Sequence, residues 1–260
     1  MKSRRVSSDL SRRAFLASGS ALALSALIHP PCALGAPVAG DDLPGYYDGY
    51  LSDLAGRINT LSDGDGVTDG FYFFTDPHIS HNRCQSGKMI ARLVGNTGLK
   101  KVFCGGDFVC AFGTKEVIDS TVEKYRRLWI APIQAAGGTL YSAKGNHDFT
   151  VRTSREEKTG YTYSSAAARD LIMSWDGCRT AVTNAADPAA CYYYTDNPAA
   201  KIRYLVADSS DQASEDPNTP WGVRYGMNET QLVWLASRAF ATVPAGYSVV
   251  VIHQDRQSVV

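Results

Sequence analysis

The chain has 260 residues, 44% hydrophobic and 20% charged, a composition that excludes wholesale disorder and accommodates one large domain or two small ones. Its 26 basic and 26 acidic residues cancel overall, but residues 1 to 35 carry five Lys or Arg against Asp9 alone, leaving 21 basic and 25 acidic residues beyond them. A net-acidic body lacks the clustered positive charge on which sequence-independent nucleic-acid binding runs, so no nucleic-acid-binding surface is expected.

The basic start (Lys2, Arg4, Arg5, Arg12, Arg13) is followed by an Ala/Leu/Ser stretch from Ala14 to Ile28 and by the small-residue run ALGA. That order reads as a targeting segment. Its apolar part, about 15 residues diluted by serine and glycine, is short of the roughly 20 that a membrane span needs, and no transmembrane segment is expected in the mature chain. SRRAFL at 11–16 resembles the twin-arginine export signal. The resemblance implies passage through the twin-arginine translocation machinery to the periplasm or the extracellular space; cleavage is expected after Gly35, with Ala33 three residues before the cut and Pro37 disfavouring a cut after Ala36. The expected organisation is a signal peptide at 1–35, an N-terminal helix and turn at 36–69, and the main domain at 70–260.

Beyond the leader, Tyr47, Leu51, Leu54, Ile58 and Leu61 recur at steps of four and three, one face of a helix. DGDGVTD follows. Its Asp63, Asp65 and Asp69 alternate as in a calcium loop, but Val67 and Phe74 fall where ligands are required, so the stretch reads as an Asp/Gly turn. Next, short apolar runs alternate with helical patterns. The runs are FYFF (71–74), KVFC (101–104), TLYSA (139–143), IRYLVA (202–207) and SVVVI (248–252), and the helices fall at about 86–95, 114–130, 164–175 and 228–240. The last is marked by Asn228 as N-cap, Gln231 three residues on, and Met227 able to staple onto Leu232. This alternation predicts an α/β fold, with residues 150 to 200 forming loops and a helix over a sheet edge. Five cysteines remain outside the leader segment: Cys178 is expected to pair with Cys191, Cys84 with Cys110, and Cys104 to be a buried free thiol.

The residues just past each apolar run carry the chemistry. FYFF is followed by Asp76 and His78, KVFC by Asp107, TLYSA by Asn146, His147 and Asp148, IRYLVA by Asp208, and SVVVI by His253. Side chains beyond the carboxyl ends of strands in an open α/β sheet converge on one crevice. A cluster of Asp, Asn and His suits Zn, Mn or Fe rather than calcium, and two such ions can clamp a phosphoryl group and generate hydroxide for in-line attack. Asp208 reads as a cap or turn residue and His81 as loop surface. Tyr161, Tyr163, Trp221 and Tyr225 lie in segments able to line a pocket. A serine hydrolase is disfavoured because no GxSxG elbow is present.

DPH at 76–78, GGD at 105–107, GNHD at 145–148 and the strand-final His253 resemble, in order, the motifs of the calcineurin-like metallophosphoesterase family. The resemblance implies a four-layer α/β/β/α sandwich that hydrolyses a phosphomonoester or phosphodiester with hydroxide activated at a dinuclear centre. It implies two divalent ions (Mn, Fe or Zn), with Asp76 and His78 on the first, Asp107 bridging, and Asn146 and His253 on the second. His147 would hold the phosphate and protonate the leaving oxygen, oriented by a carboxylate such as Asp148. The family's closing GHxH is absent, and the chain ends seven residues beyond His253, so a C-terminally incomplete domain is expected. The alternative is a non-catalytic protein of the same fold that binds at most a metal or a phosphate.

Overall fold

The computed structural model describes residues 43–64, 69–79, 86–109, 114–148, 165–213, 223–224 and 226–254. The leader, His81, Cys84, Cys110, Tyr161, Tyr163, Trp221 and Tyr225 lie outside them. The described fold is mixed α/β. No helix among the described residues is long and apolar enough to cross a membrane.

Helix α1 (Tyr46–Gly64) buries Leu51, Leu54 and Ala55 as its periodicity predicts, while Leu61 stays exposed. β1 (Phe71–Phe74), β2 (Lys101–Cys104) and β3 (Thr139–Ser142) form a parallel sheet in that order, with Phe71 opposite Lys101 and Lys101 opposite Thr139. Parallel neighbours need crossovers, supplied here by α2 (Ser86–Asn96) and by α3 (Lys115–Tyr125), which continues through a π-helical turn (Arg126–Ile130) into α4 (Ala131–Ala135). The three strands match the expected runs, α2 matches the helix expected at 86–95, and α3 with its π-helical turn matches the one expected at 114–130, which α4 prolongs.

A second sheet has the order β4 (Val182–Thr183), β5 (Tyr193–Asn197), β6 (Ile202–Val206) and β9 (Ser248–Ile252). Its first two pairings are antiparallel, and β6 with β9 is parallel. Between β6 and β9 lie the short hairpin β7 (Gln212–Ala213) and β8 (Val223–Arg224), then α7 (Glu229–Trp234), prolonged by a π-helical turn (Leu235–Phe240). Asn228 caps α7 as expected, its side chain accepting the Gln231 N–H at 2.8 Å. Met227 packs on the cluster around Trp234 and Leu235, while Leu232 remains half exposed.

Within 150–200 the described residues, 165–200, depart from expectation. They supply α5 (Ser165–Ile172) and α6 (Asp176–Arg179), but also the paired strands β4 and β5. The reason lies in Tyr192, Tyr193 and Tyr194, all buried. Tyr192 and Tyr194 face Trp234 at 5.2 and 5.9 Å, while the Tyr193 hydroxyl points the other way and donates to the Ser142 carbonyl of β3 at 2.9 Å. A strand covered on both faces shows no apolar/polar alternation.

Aromatic rings also join the sheets. Phe103 of β2 stacks on Tyr141 of β3 at 4.7 Å, and Tyr204 of β6 meets Phe103 at 5.2 Å and Phe71 edge-on at 5.6 Å. Asp69, expected only as a turn residue, ties the sheets through hydrogen bonds. Its carboxylate accepts from Lys101 Nζ at 2.8 and 2.9 Å, Asn197 Nδ2 at 2.6 Å and the Tyr204 hydroxyl at 2.7 Å. Burial alone would push this carboxyl up, but those donors outweigh it and leave it below the ordinary carboxylate value. A depressed acid contributes stability that is present above its unfolded pKa and lost as pH falls through the folded one. Asp69→Asn is therefore expected to cost about 2 kcal/mol near neutral pH in urea unfolding, with the gap to wild type narrowing below about pH 3. A gap independent of pH would show that the charge is not what the other groups hold.

Cys178 and Cys191 are both free and buried, which corrects the expected disulfide. Cys178 Sγ lies 3.1 Å from the Tyr193 hydroxyl and accepts the Ser142 N–H at 3.3 Å, while Cys191 feels the charges of Lys144 and Asp208. Cys104 is a buried free thiol as expected, and burial pushes both Cys104 and Cys178 up to about 12.

Candidate metal centre

Main-chain bonding does not stop where the parallel strands end. Gly105 N–H donates to Phe74 O at 2.7 Å, and then Asp76, His78 and Ile79 donate to Gly106, Asp107 and Phe108 carbonyls at 3.0, 3.1 and 3.1 Å. The loops after β1 and β2 thus run side by side. Holding that pairing puts Asp76, His78 and Asp107 in the left-handed backbone region, with φ of 53°, 41° and 54°. Each such residue costs on the order of 1–3 kcal/mol and persists only where its surroundings over-determine it, commonly at functional sites.

The three side chains converge. Their ligand atoms all lie within 4.8 Å of one another, with His78 Nε2 at 3.4 Å from Asp76 Oδ1 and 3.7 Å from Asp107 Oδ2. Asp76 is 49% exposed at its side chain and Asp107 only 3%, so the cluster opens to solvent on the Asp76 side. Burial would raise the Asp76 carboxyl, but hydrogen bonds from His78 and Thr75 hold it below the ordinary range, whereas burial pushes Asp107 up. Two carboxylates and an imidazole form a donor set suited to Mn, Fe or Zn, and all three residues sit on left-handed backbone.

The loop after β3 closes over this cluster. His147 donates its backbone N–H to Asp107 Oδ1 at 2.8 Å, and its ring lies 5.1 Å from that of His78. Asp148, expected to orient His147, directs both carboxylate oxygens at backbone N–H groups. It is fully buried and accepts three backbone N–H groups, from Gly145 at 2.7 Å, Asp107 at 3.0 Å and Val109 at 3.0 Å. Burial and the nearby Asp107 charge push its carboxyl well up against those donors. Asp148 therefore laces the loop after β2 to the loop after β3. The close approach needs Gly145, where a Cβ would sit 2.1 Å from Asp107 Oδ1 and 2.2 Å from its backbone nitrogen.

Of the other expected ligands, Asn146 is buried in the same loop and His253 is exposed beyond the end of β9. The next residue, Gln254, turns inward and accepts the Asn146 backbone N–H at 2.7 Å. Sequence reasoning did not single it out, because one glutamine after a strand carries no pattern. Asp208, read as a cap or turn residue, is fully buried, with Lys144 Nζ 2.6 Å from its Oδ2. Burial pushes its carboxyl up although the ammonium opposes the shift; for Lys144 burial works downward, and the charge and hydrogen bond of Asp208 together with Cys191 and Asp211 outweigh that and raise it. Gln231 brackets the peptide of Asp208, accepting its N–H and donating to its carbonyl, both at 2.9 Å.

No family model matches the chain, and no curated protein matches it. Among solved structures, a dimetal phosphatase from Danio rerio is similar with a TM-score of 0.48 and 14% identity, over 72% of this chain and 69% of that one. At that level the likeness assigns no residue, and the site stands on its own geometry.

Proposed function

We propose that this chain is a metal-dependent phosphoesterase, exported by the twin-arginine route, whose site is built from Asp76, His78, Asp107, Asn146 and His147. The observation that carries the reading is the convergence of Asp76, His78 and Asp107 in left-handed backbone at the ends of two adjacent parallel strands. In this reading the two sheets and their helices form the four-layer α/β/β/α sandwich implied by the DPH, GGD and GNHD motifs.

One or two divalent ions held there would supply positive charge to a phosphate ester and an acidified water as nucleophile. The chain's own residues do the rest. Asp107, buried and receiving the His147 N–H, offers its second oxygen toward His78 and the cluster. Asp76 and His78 form the solvent-facing side by which a substrate would enter. His147, held through its backbone above Asp107, protonates the leaving oxygen. Asp148 keeps the two loops in contact rather than taking part in proton transfer.

The test pairs metal content with turnover. Wild-type protein loaded with Mn²⁺ is expected to hydrolyse p-nitrophenyl phosphate or bis-p-nitrophenyl phosphate. Asp107→Asn should lose the metal by elemental analysis and at least a hundredfold in rate, while His147→Ala keeps the metal and loses rate. A wild-type protein that retains no metal would sink the proposal. The exposure of His253 favours a second reading, a one-ion binding module without turnover. One ion per chain and no hydrolysis of either ester would select it.

A further inference from the structure

We infer that Gln254 is the positioning residue through which the second sheet fixes the metal-binding loops, in the place where the motif pattern puts His253. The inference rests on the proposed metal site. Both residues follow β9, and the strand's alternation sends them opposite ways: His253 is exposed and Gln254 is 9% exposed.

Gln254 is fastened at three points. Its Oε1 accepts the Asn146 N–H at 2.7 Å and faces Gly145 beside Asp107 Oδ1, its amide lowers the Asp107 carboxyl against the push of burial, and its own carbonyl accepts the Ser209 hydroxyl. The strand beneath it is locked as well, since Ala207 N–H donates to Ile252 O at 2.9 Å. One amide thus spans a candidate ligand from the parallel sheet and the loop after β3, and is anchored to the mixed sheet. A carboxylate has two oxygens with several lone-pair directions. Asp107 receives the His147 N–H on Oδ1, and the Gln254 amide is the further donor that fixes which way its free lone pairs face. Partners that orient a ligating carboxylate typically govern metal affinity by 10–100-fold. A glutamine does this without adding charge, so the carboxylate keeps its full attraction for a cation.

Mn²⁺ binding to the purified chain, measured by titration calorimetry, separates the possibilities. Gln254→Leu is expected to weaken Mn²⁺ binding at least tenfold in a metal-free protein that stays folded with a thermal midpoint lowered by the unpaired Asn146 N–H, and His253→Ala to weaken it less than twofold. Gln254→Glu keeps the acceptor for Asn146 but loses the donor to Asp107, so it should restore slow amide hydrogen exchange at residues 145–148 without restoring affinity. Affinity within twofold of wild type in Gln254→Leu, or a greater loss in His253→Ala, overturns the inference and leaves the metal site standing. A wild-type chain that binds no Mn²⁺ overturns both. If Gln254→Leu fails to fold, Gln254→Glu decides alone: wild-type affinity in that variant rejects the role.

Discussion

Lys144→Met is expected to destabilise the protein by about 3–5 kcal/mol near neutral pH, the cost of leaving a buried charge without its partner. The charge is Asp208, fully buried, whose Oδ2 has the Lys144 ammonium at 2.6 Å, while its Oδ1 accepts the Ser210 N–H at 2.9 Å. In the variant Asp208 has to take up a proton to remain inside. Its folded pKa is already raised by burial in the wild type and rises further once the ammonium is gone. An acid with a raised folded pKa is no burden below its unfolded value and becomes one as pH climbs toward the folded value. The deficit of Lys144→Met should therefore be smallest near pH 4 and largest at neutral pH, measured by urea unfolding across that range. Adding Asp208→Asn to Lys144→Met removes the charge, keeps an acceptor for Ser210, and should recover at least half of the loss at neutral pH. A deficit that does not vary with pH would mean lost packing of the lysine stem rather than an orphaned carboxylate.

Gly145→Ala has the largest expected effect on the site itself. A methyl group there would lie 2.1 Å from Asp107 Oδ1, 2.2 Å from Asp107 N and 2.7 Å from Gln254 Oε1. The first and third are side-chain atoms that can swing away, but the second is backbone held by Asp148. The loops must separate, breaking the lacing of Asp148 and shifting Asp107. The expected result is a stability loss of about 1–3 kcal/mol, together with loss of Mn²⁺ retention and about a hundredfold fall in any hydrolytic rate. Gly98→Ala is the matched control, because a Cβ there meets nothing within 4 Å, and it should change stability by no more than about 0.5 kcal/mol. Intact metal retention in Gly145→Ala would show that the two loops can part without dismantling the centre.

The parts of this fold that were legible in sequence are those with a one-dimensional signature. Runs such as KVFC and SVVVI and the Asn228 cap translate directly into β2, β9 and the start of α7. Asp76, His78 and Asp107 were legible for a related reason, since each follows a strand end at short range and strand ends of a parallel sheet face the same way. What stayed hidden depends on partners far along the chain. β5 reads as a tyrosine-rich loop because both its faces are covered, and Asp69 reads as a turn because its partners Asn197 and Tyr204 lie 128 and 135 positions away. The split between His253 and Gln254 belongs to the same class. Composition favours the histidine as a ligand, while only the phase of β9 against β6 decides which of two neighbours turns inward.

The distance between Asn146 and Gln254 also orders events in time. The parallel sheet closes with β3, whose last residue is Ser142, and Asp148 can fasten the loop that follows from only three residues away. The acceptor for the Asn146 N–H comes 108 residues later. On a chain emerging from a ribosome, the locally bonded half of the site is assembled long before its distant brace is made, because contacts of large sequence separation pay their loop-closure entropy last. The contact of Gln254 with the loop after β3 therefore waits on the docking of β9, the last described strand.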